Sequence, residues 1–339
     1  MSTATIRDVA RAADVSIATV SRALNGHMSV SPETHQRVID AVNLLGYVPH
    51  LGARSLSTKR SNTIGVVLPD LFGEFFSEII RGIDFAAHQR DLQLLLSNMH
   101  GSAAETAGAI RMMRGRVDGL LLMSPEVDAD FLANNLPKGL PTVVMNGPLG
   151  GAGHASISID NHAGACAAVA HLAAQGCRRI AHLRGPRDNA DADAREQGYL
   201  DAVSAMPDCG EPLVFEGDFT EQAGALAACA LLADRRCVDG VFSANDVMAF
   251  GCMAALAEAG VAVPADIAFV GFDDVPTARY VTPALSTMGA SIAALGERAL
   301  ARLLAVIEAP DQPPPPPEYI VPQLIARASS IRRGAACGP

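Results

Sequence analysis

The chain has no tryptophan and only four tyrosines among its 339 residues. Any platform that stacks on a ring-shaped ligand must therefore be phenylalanine or tyrosine. Its seven cysteines (Cys166, Cys177, Cys209, Cys229, Cys237, Cys252 and Cys337) are scattered, with no CxxC pair. That usage points to reduced, mostly buried thiols and away from a disulfide framework or a zinc site. No apolar run reaches the length of a bilayer crossing, and the first residues carry no charged-then-apolar leader, so a cytoplasmic, non-membrane protein is expected. A phosphate-cradling loop, a nucleophile elbow and an HExxH pair are also missing. Gly150-Gly151-Ala152-Gly153 neither follows a strand nor opens a helix, as a dinucleotide-binding turn would. The nine histidines are scattered, and none is read as pairing with a cysteine or carboxylate at catalytic spacing. Catalysis, a cofactor and a metal are accordingly not expected.

Charge is present, but unevenly spread. Residues 1–60 hold seven Lys/Arg against four acids, a net +3, and the chain's total of −10 leaves −13 for the remainder. A sequence pI near 5.3 would by itself argue against nucleic acid. The asymmetry reverses that inference: a basic head can approach a duplex that the acidic body repels.

Within the head, Thr5 with Asp8 three positions later fits a capping box. Ile6, Val9, Ala10 and Ala13 follow at i, i+3, i+4 and i+7, which is one apolar helical face. Asp14-Val15-Ser16 breaks the pattern, and Ser16 is placed to cap a second helix. In that helix Val20 and Leu24 turn back toward the first, leaving Ile17, Ala18, Thr19, Ser21 and Arg22 outside. Isoleucine at the first turn of a bare surface is unusual, but it suits a thymine methyl, while Arg22 has the reach for guanine or phosphate. Two short helices at this spacing predict a helix-turn-helix, a DNA-reading unit. A third helix is predicted from Ser31 as cap and Pro32 at the first helical position to Gly46 at its end, with Val38, Ile39, Val42 and Leu45 as its stripe.

From Thr63 the chain alternates short apolar runs with helical patterns. Ile64–Leu68, Leu92–Leu96, Val117–Leu122 and Thr142–Met145 form one series, with a helix such as 75–89 between. Arg179–Leu183, Val238–Phe242 and Ile267–Gly271 form a second. Val117-Asp118-Gly119-Leu120 and Val238-Asp239-Gly240-Val241 read as the same piece of two related lobes. Alternation of this kind predicts α/β lobes with parallel doubly wound sheets and a ligand cleft at the strand carboxyl ends. Pro313–Pro317 reads as a stiff surface connection, between a helix over 291–309 and a strand near 318–326.

The motifs ATIRDVARAADVSIATVSRALNG, VSPETHQRVIDAVNLLGYVPHLGARSLST, TIGVVLPD, VDGLLL, GCRRIAHLRGP, ANDVMAFG, VPADIAFVGFDD and TPALST, in this order, resemble the LacI/GalR family of bacterial transcriptional regulators. The likeness runs over nearly the whole chain. It implies a helix-turn-helix domain over 1–48, a hinge over 49–61 and a core over 62–339 built like the periplasmic sugar-binding proteins. One lobe would comprise 62–160 with 291–320, the other 161–290 with 321–339. It also implies operator DNA as partner and a homodimer, with a tetramer possible although the C-terminus lacks the heptads of a tetramerising coil.

The site residues carried over by the resemblance fall in two sets. For DNA they are Thr5, Ser16, Ile17, Ala18, Thr19, Ser21, Arg22 and Asn25, with Arg54 and Leu56 in the hinge, where Leu56 would wedge into the minor groove. Gly52 departs from the usual hinge and should weaken it by about 1 kcal/mol relative to alanine. For a small-molecule effector they are Phe75, Phe76, Asn146, Asp160, Arg195, Phe219, Asn245, Asp246 and Asp273. Phe75 and Phe76 are equally readable as core, and Asn245 and Asp246 as caps of the following helix. Arginine and carboxylate together suit vicinal hydroxyls, so a sugar or sugar derivative is expected. A purine is the alternative, although Asn189 and Asp191 depart from the family's purine-contacting pattern. A solute-binding protein is the remaining reading, and the basic head speaks against it.

Overall fold

Thr5 opens the head by donating its backbone N–H to Asp8 Oδ2 at 2.9 Å, while its hydroxyl donates to the same oxygen at 2.7 Å. Helix α1 (Ile6–Ala12) follows, then α2 (Ile17–Leu24) and α3 (Pro32–Leu45). Ser16 Oγ accepts from Thr19 N at 3.1 Å and so caps α2. Ser31 Oγ accepts from Thr34 N at 3.3 Å at the start of α3, and Gly46 ends α3 at φ 57°, the left-handed turn that glycine adopts at little cost. The three helices share one small core of Val9, Ala10, Ala13, Val20, Ala23, Val38 and Ala41. The expected α3 stripe is corrected in one place. Ala41 takes the buried position, and Leu45, 36% exposed, stays outside.

This computed structural model describes residues 4–24, 30–47, 60–99, 103–125, 127–147, 153–206, 211–234 and 238–332. Asn25, Gly52, Arg54 and Leu56 lie outside them, as does most of the expected hinge. The chain divides into the head, Met1–Ser61, and a body, Asn62–Pro339.

The body contains two six-stranded sheets. The first joins β1 (Thr63–Leu68), β2 (Gln93–Asn98), β3 (Gly119–Met123), β4 (Thr142–Met145), β5 (Ala155–Ile159) and β11 (Glu318–Ile320) in the order β11-β5-β4-β3-β1-β2. The second joins β6 (Ile180–Leu183), β7 (Leu213–Phe215), β8 (Gly240–Ser243), β9 (Ala268–Asp273), β10 (Ser286–Gly289) and β12 (Gln323–Ile325) in the order β12-β10-β9-β8-β6-β7. Every pairing is parallel except β10 with β12. Strands β3, β4, β6, β8 and β9 are buried along their whole length, as sheets covered by helices on both faces require.

The two sheets repeat one joint. Asp118 Oδ2 accepts from Asn62 N at 2.8 Å just before β1, and Asp239 Oδ1 accepts from Arg179 N at 2.8 Å just before β6. The glycine after each aspartate lies where a Cβ would meet a packed neighbour, Ile307 Cδ1 at 2.9 Å for Gly119 and Cys177 at 3.1 Å for Gly240. The repeated Val-Asp-Gly of the sequence is therefore a strand-anchoring device used once per lobe.

The chain crosses between sheets three times. After β5, α7 (Asn161–Ala174) packs on the second sheet, and after β10, α11 (Ile292–Glu308) returns to the first. The expected strand near 318–326 is corrected to two short strands, β11 in one sheet and β12 in the other, separated by Val321-Pro322. The proline run before it is fastened by Arg302, which pairs with Glu318 at 2.7 Å and donates to the Pro315 carbonyl at 3.4 Å. The remaining helices are α4 (Glu74–His88), α5 (Ala103–Met113), α6 (Ala129–Asn135), α8 (Ala190–Ser204), α9 (Glu221–Ala233) and α10 (Asp246–Glu258). Among the described residues no helix is long and apolar enough to cross a membrane.

Candidate functional site

In the head, the shared core takes Val20 and Ala23 from α2 and leaves Ile17 45% exposed, beside exposed Ala18 and Arg22. Thr19 and Ser21 are half-buried. Ser16 has two duties, because its hydroxyl also meets the Thr19 hydroxyl at 2.9 Å. Thr5 is exposed at the start of α1. An apolar side chain facing solvent beside a cation, on a helix fixed by a cap, is a surface built to be covered.

In the body, polar residues gather where the strands of both sheets end. Arg195, on α8 and 3% exposed, is the hub. Its Nε donates to Asn161 Oδ1 at 2.8 Å, one terminal nitrogen donates to the Ala244 carbonyl, and the other stands 3.4 Å from Asp273 Oδ1. The guanidinium also lies 3.7 Å over the Phe272 ring, a cation–π contact. Asn161 passes the contact on, its Nδ2 donating to Asp191 Oδ1 at 2.8 Å. From the first lobe comes Asn146, 2% exposed, whose Oδ1 accepts from Ile159 N at 3.0 Å.

This low-polarity setting moves two carboxyls. Burial pushes Asp273 up to about 7, opposed by Arg195 and reinforced by Asp191. Burial likewise pushes Asp191 up to about 6, against the pull of Arg195 and the amides of Asn146 and Asn161.

Three of the residues here adopt left-handed backbone. Asn146, Phe219 and Asp273 hold positive φ angles of 43°, 71° and 112°. Such conformations cost on the order of 1–3 kcal/mol each. Phe219 is held by Asn245, whose Nδ2 donates to the Phe219 carbonyl at 3.1 Å, and its ring tip covers Gly185.

Other expected site residues are placed differently. Asp246 is fully buried inside its lobe, with Oδ1 accepting from Thr287 Oγ1 at 2.5 Å and Oδ2 from Val275 N at 3.0 Å. The expectation of a cleft-wall residue is corrected: Asp246 braces β9 and β10 from within. Asn245 is the cap of α10, with Oδ1 accepting from Met248 N at 2.9 Å, and Asp160 caps α7 through Ala163 N at 3.0 Å. Phe75 and Phe76 meet edge to face at 5.4 Å, half-buried and packed on the core. Asn161 was not expected here, and Asp191 entered the sequence reading only as a departure from the family's purine-contacting pattern. The sequence signal was the Asp160-Asn161 pair at a strand end and the acid-rich opening of α8.

Two contacts join the lobes beside this network. Glu74, at the start of α4, accepts from Thr277 N at 2.9 Å and from the Thr277 hydroxyl. Ala190 N donates to the Pro125 carbonyl at 3.2 Å.

One histidine reading is also corrected. His162 Nε2 lies 2.9 Å from Asp201 Oδ2, and Cys166, one helical turn on, has its sulfur 3.8 Å from His162 Nδ1. The thiol instead donates to the Gly198 carbonyl at 3.3 Å, and burial together with Asp201 and Asp160 pushes its pKa up. A nucleophile needs the thiolate, which this setting disfavours. Among the described residues no group of three or more His, Cys, Asp or Glu is arranged to hold a metal.

Residues 5–50 match the family described as bacterial regulatory proteins, lacI family, and residues 169–330 match the periplasmic binding protein-like domain. The HTH-type transcriptional regulator GalS of Salmonella typhimurium is 36% identical over 295 residues, 86% of this chain and 87% of its own. A lac repressor dimer bound to operator and the anti-inducer ONPF superposes with a TM-score of 0.86 at 27% identity, over 98% of this chain and 100% of that one. A complex of the transcriptional regulator CelR with cellobiose gives a TM-score of 0.70 at 32% identity, over 96% and 99%. With a capped helix pair at its head, paired α/β lobes behind it and this likeness along its length, the chain belongs to the LacI family of bacterial transcriptional regulators.

Proposed function

We propose that the chain binds an operator as a homodimer and that a sugar or sugar derivative, held between the body's lobes, sets its affinity for that operator. The observation that carries the reading is the network of Arg195, Asn161, Asp191 and Asp273 at the strand ends. Its paired donors and acceptors match vicinal hydroxyls, and the cellobiose bound to the related CelR supports the same class of ligand. Phe219 and the half-buried Phe75 and Phe76 supply apolar surface beside it. Asn146 adds a polar group from the opposite lobe, and Asp160 and Asn245 border the site through the helices they cap.

In this reading Ile17, Ala18 and Arg22 read bases, with Thr5, Ser16, Thr19, Ser21 and Asn25 positioning α2 on the backbone. Arg54 and Leu56 act in the hinge that joins head to body, over 49–61. Effector alters how the lobes close, which changes the spacing of the two hinges in a dimer and with it the fit of both heads to the half-sites. The protein works on DNA in the cytoplasm and carries out no catalysis.

The DNA half is tested with a duplex selected from a random pool by the wild-type protein. Arg22→Ala should weaken binding to it and reduce discrimination between base variants by roughly 1–3 kcal/mol, read by fluorescence anisotropy. Unchanged discrimination would remove Arg22 from the base-reading set.

A further inference from the structure

Arg195 is the arginine at the centre of the cleft network, and all three of its nitrogens are already engaged. Nε donates to Asn161, one terminal nitrogen donates to the Ala244 carbonyl, and the other forms an ion pair with Asp273 Oδ1 at 3.4 Å. Asp191 reaches that cation only through the Asn161 amide, which its Oδ1 accepts at 2.8 Å. Two carboxylates therefore share one cation, directly and through a relay.

Among the described residues the buried and half-buried cations nearest the network are already paired, and Arg279, on the turn after β9, is exposed. Those that follow the first sheet's strands are Pro69 and Asp70, Met99, Ser124 and Pro125, Asn146 and Gly147, and Asp160. On the second sheet, Arg184 is enclosed and paired with Asp193 at 3.0 Å and Glu196 at 2.9 Å. Arg327 is paired with Asp274 at 2.5 Å, and Glu74 is taken by Thr277.

The site also keeps unspent neutral groups. Ser124 Oγ is buried without a partner, and the Asn146 amide lies beside Asp191 without closing a hydrogen bond of good geometry. These groups can serve ligand hydroxyls, whereas a ligand anion would find two carboxyl groups and a buried arginine already paired with one of them.

We propose that Asp191 makes this cleft select its ligand by charge, accepting uncharged or amine-bearing hydroxylated molecules and rejecting phosphorylated and carboxylated ones. The inference rests on the cleft being the effector site. A phosphate or carboxylate would displace Asp273 from Arg195 and leave it buried beside Asp191 without its cation, a costly arrangement. An amine gains a carboxylate partner, and a hydroxyl gains a strong acceptor.

The test is calorimetric titration of the full-length protein at pH 8, above the values to which burial raises Asp191 and Asp273, with two matched series. One comprises hexoses with their 2-amino, uronate and 6-phosphate forms, and the other comprises neutral nucleobases with their nucleoside monophosphates. Within a frame that binds, the uncharged or amine-bearing member should bind at least tenfold more tightly than its anionic counterpart. Asp191→Asn should narrow that ratio at least threefold, with Asp191→Ser as a second variant in case the first does not fold. An anionic member that outbinds its uncharged parent overturns the proposal. So does a ratio unmoved in a folded variant, or a panel in which nothing uncharged or amine-bearing binds. If nucleobases bind and no hexose does, the sugar reading fails while charge selection stands. If only anionic sugars bind, the reverse holds.

Discussion

Asp273 and Asp191 carry the most direct consequence at the scale of a residue. Their folded pKa values of about 7 and about 6 lie above the ordinary 3.8, because burial disfavours their charged forms more than Arg195 restores them. Between about pH 4 and pH 7 the folded protein thus holds protons that the unfolded chain has released. Their contribution is largest below the unfolded value and is lost as pH rises through the folded values, with a slope of at most about 1.4 kcal/mol per pH unit per proton. This contribution to the ligand-free melting temperature should therefore fall between about pH 4 and pH 7, and Asp273→Asn should flatten part of that fall. Parallel wild-type and variant curves would contradict the assignment. The positions of Arg195 on a helix and of Asp273 at a strand end were legible in the sequence through family motifs. Asp191 stood out only as a departure from the family's purine-contacting pattern and Asn161 not at all, because they join Arg195 through a chain of contacts running from α7 to α8 to β9. Asp246 misled for the opposite reason: it neighbours Asn245 in sequence, yet it points into its lobe toward Thr287 and Val275.

Elements announced themselves in proportion to their apolar content. β1, β3, β4, β6, β8 and β9 all stood out as apolar runs. β10 did not, since Ser286 and Thr287 are wholly buried yet polar, and their hydroxyls are satisfied by partners distant in sequence: Ser286 Oγ donates to the Arg327 carbonyl at 2.9 Å and Thr287 Oγ1 to Asp246 Oδ1 at 2.5 Å. β7 and β12 are three residues each, too short to show a period. Helix pairing was hidden as well, because it depends on glycines that read as mere helix weakeners. In α9 and α10, a Cβ on Gly224 would stand 2.0 Å from the Met248 carbonyl oxygen, and one on Gly251 would stand 1.9 Å from that of Glu221. The two backbones touch at both points. Alanine ordinarily strengthens a helix by about 1 kcal/mol over glycine. Here Gly251→Ala should instead destabilise the body by about 1–3 kcal/mol, because the helices must separate. Urea unfolding measures it, and a stabilised variant would show that the helices slide apart freely.

Across the whole molecule, a head with its own small core and a two-lobed body meet two separate needs: to cover an exposed reading helix with DNA, and to enclose a polar cleft with ligand. Charge follows the same division, +3 over residues 1–60 against −13 beyond, so steering toward DNA belongs to the head alone and operator binding should weaken steeply with salt. The lobes are clasped by Glu74 and Thr277 at the edge of the cleft, so a ligand that alters their closure acts on the body as a unit. Coupling between two such sites amounts to about 1–3 kcal/mol, a five- to 150-fold change in affinity, in either direction. The decisive measurement is the affinity of the full-length protein for its selected operator, with and without a saturating amount of the hexose that most raises its melting temperature, in wild type and in Arg195→Ala. Wild type should show at least a fivefold change and Arg195→Ala none, with operator binding itself retained. A bound hexose that leaves wild-type operator affinity unchanged would contradict the coupling.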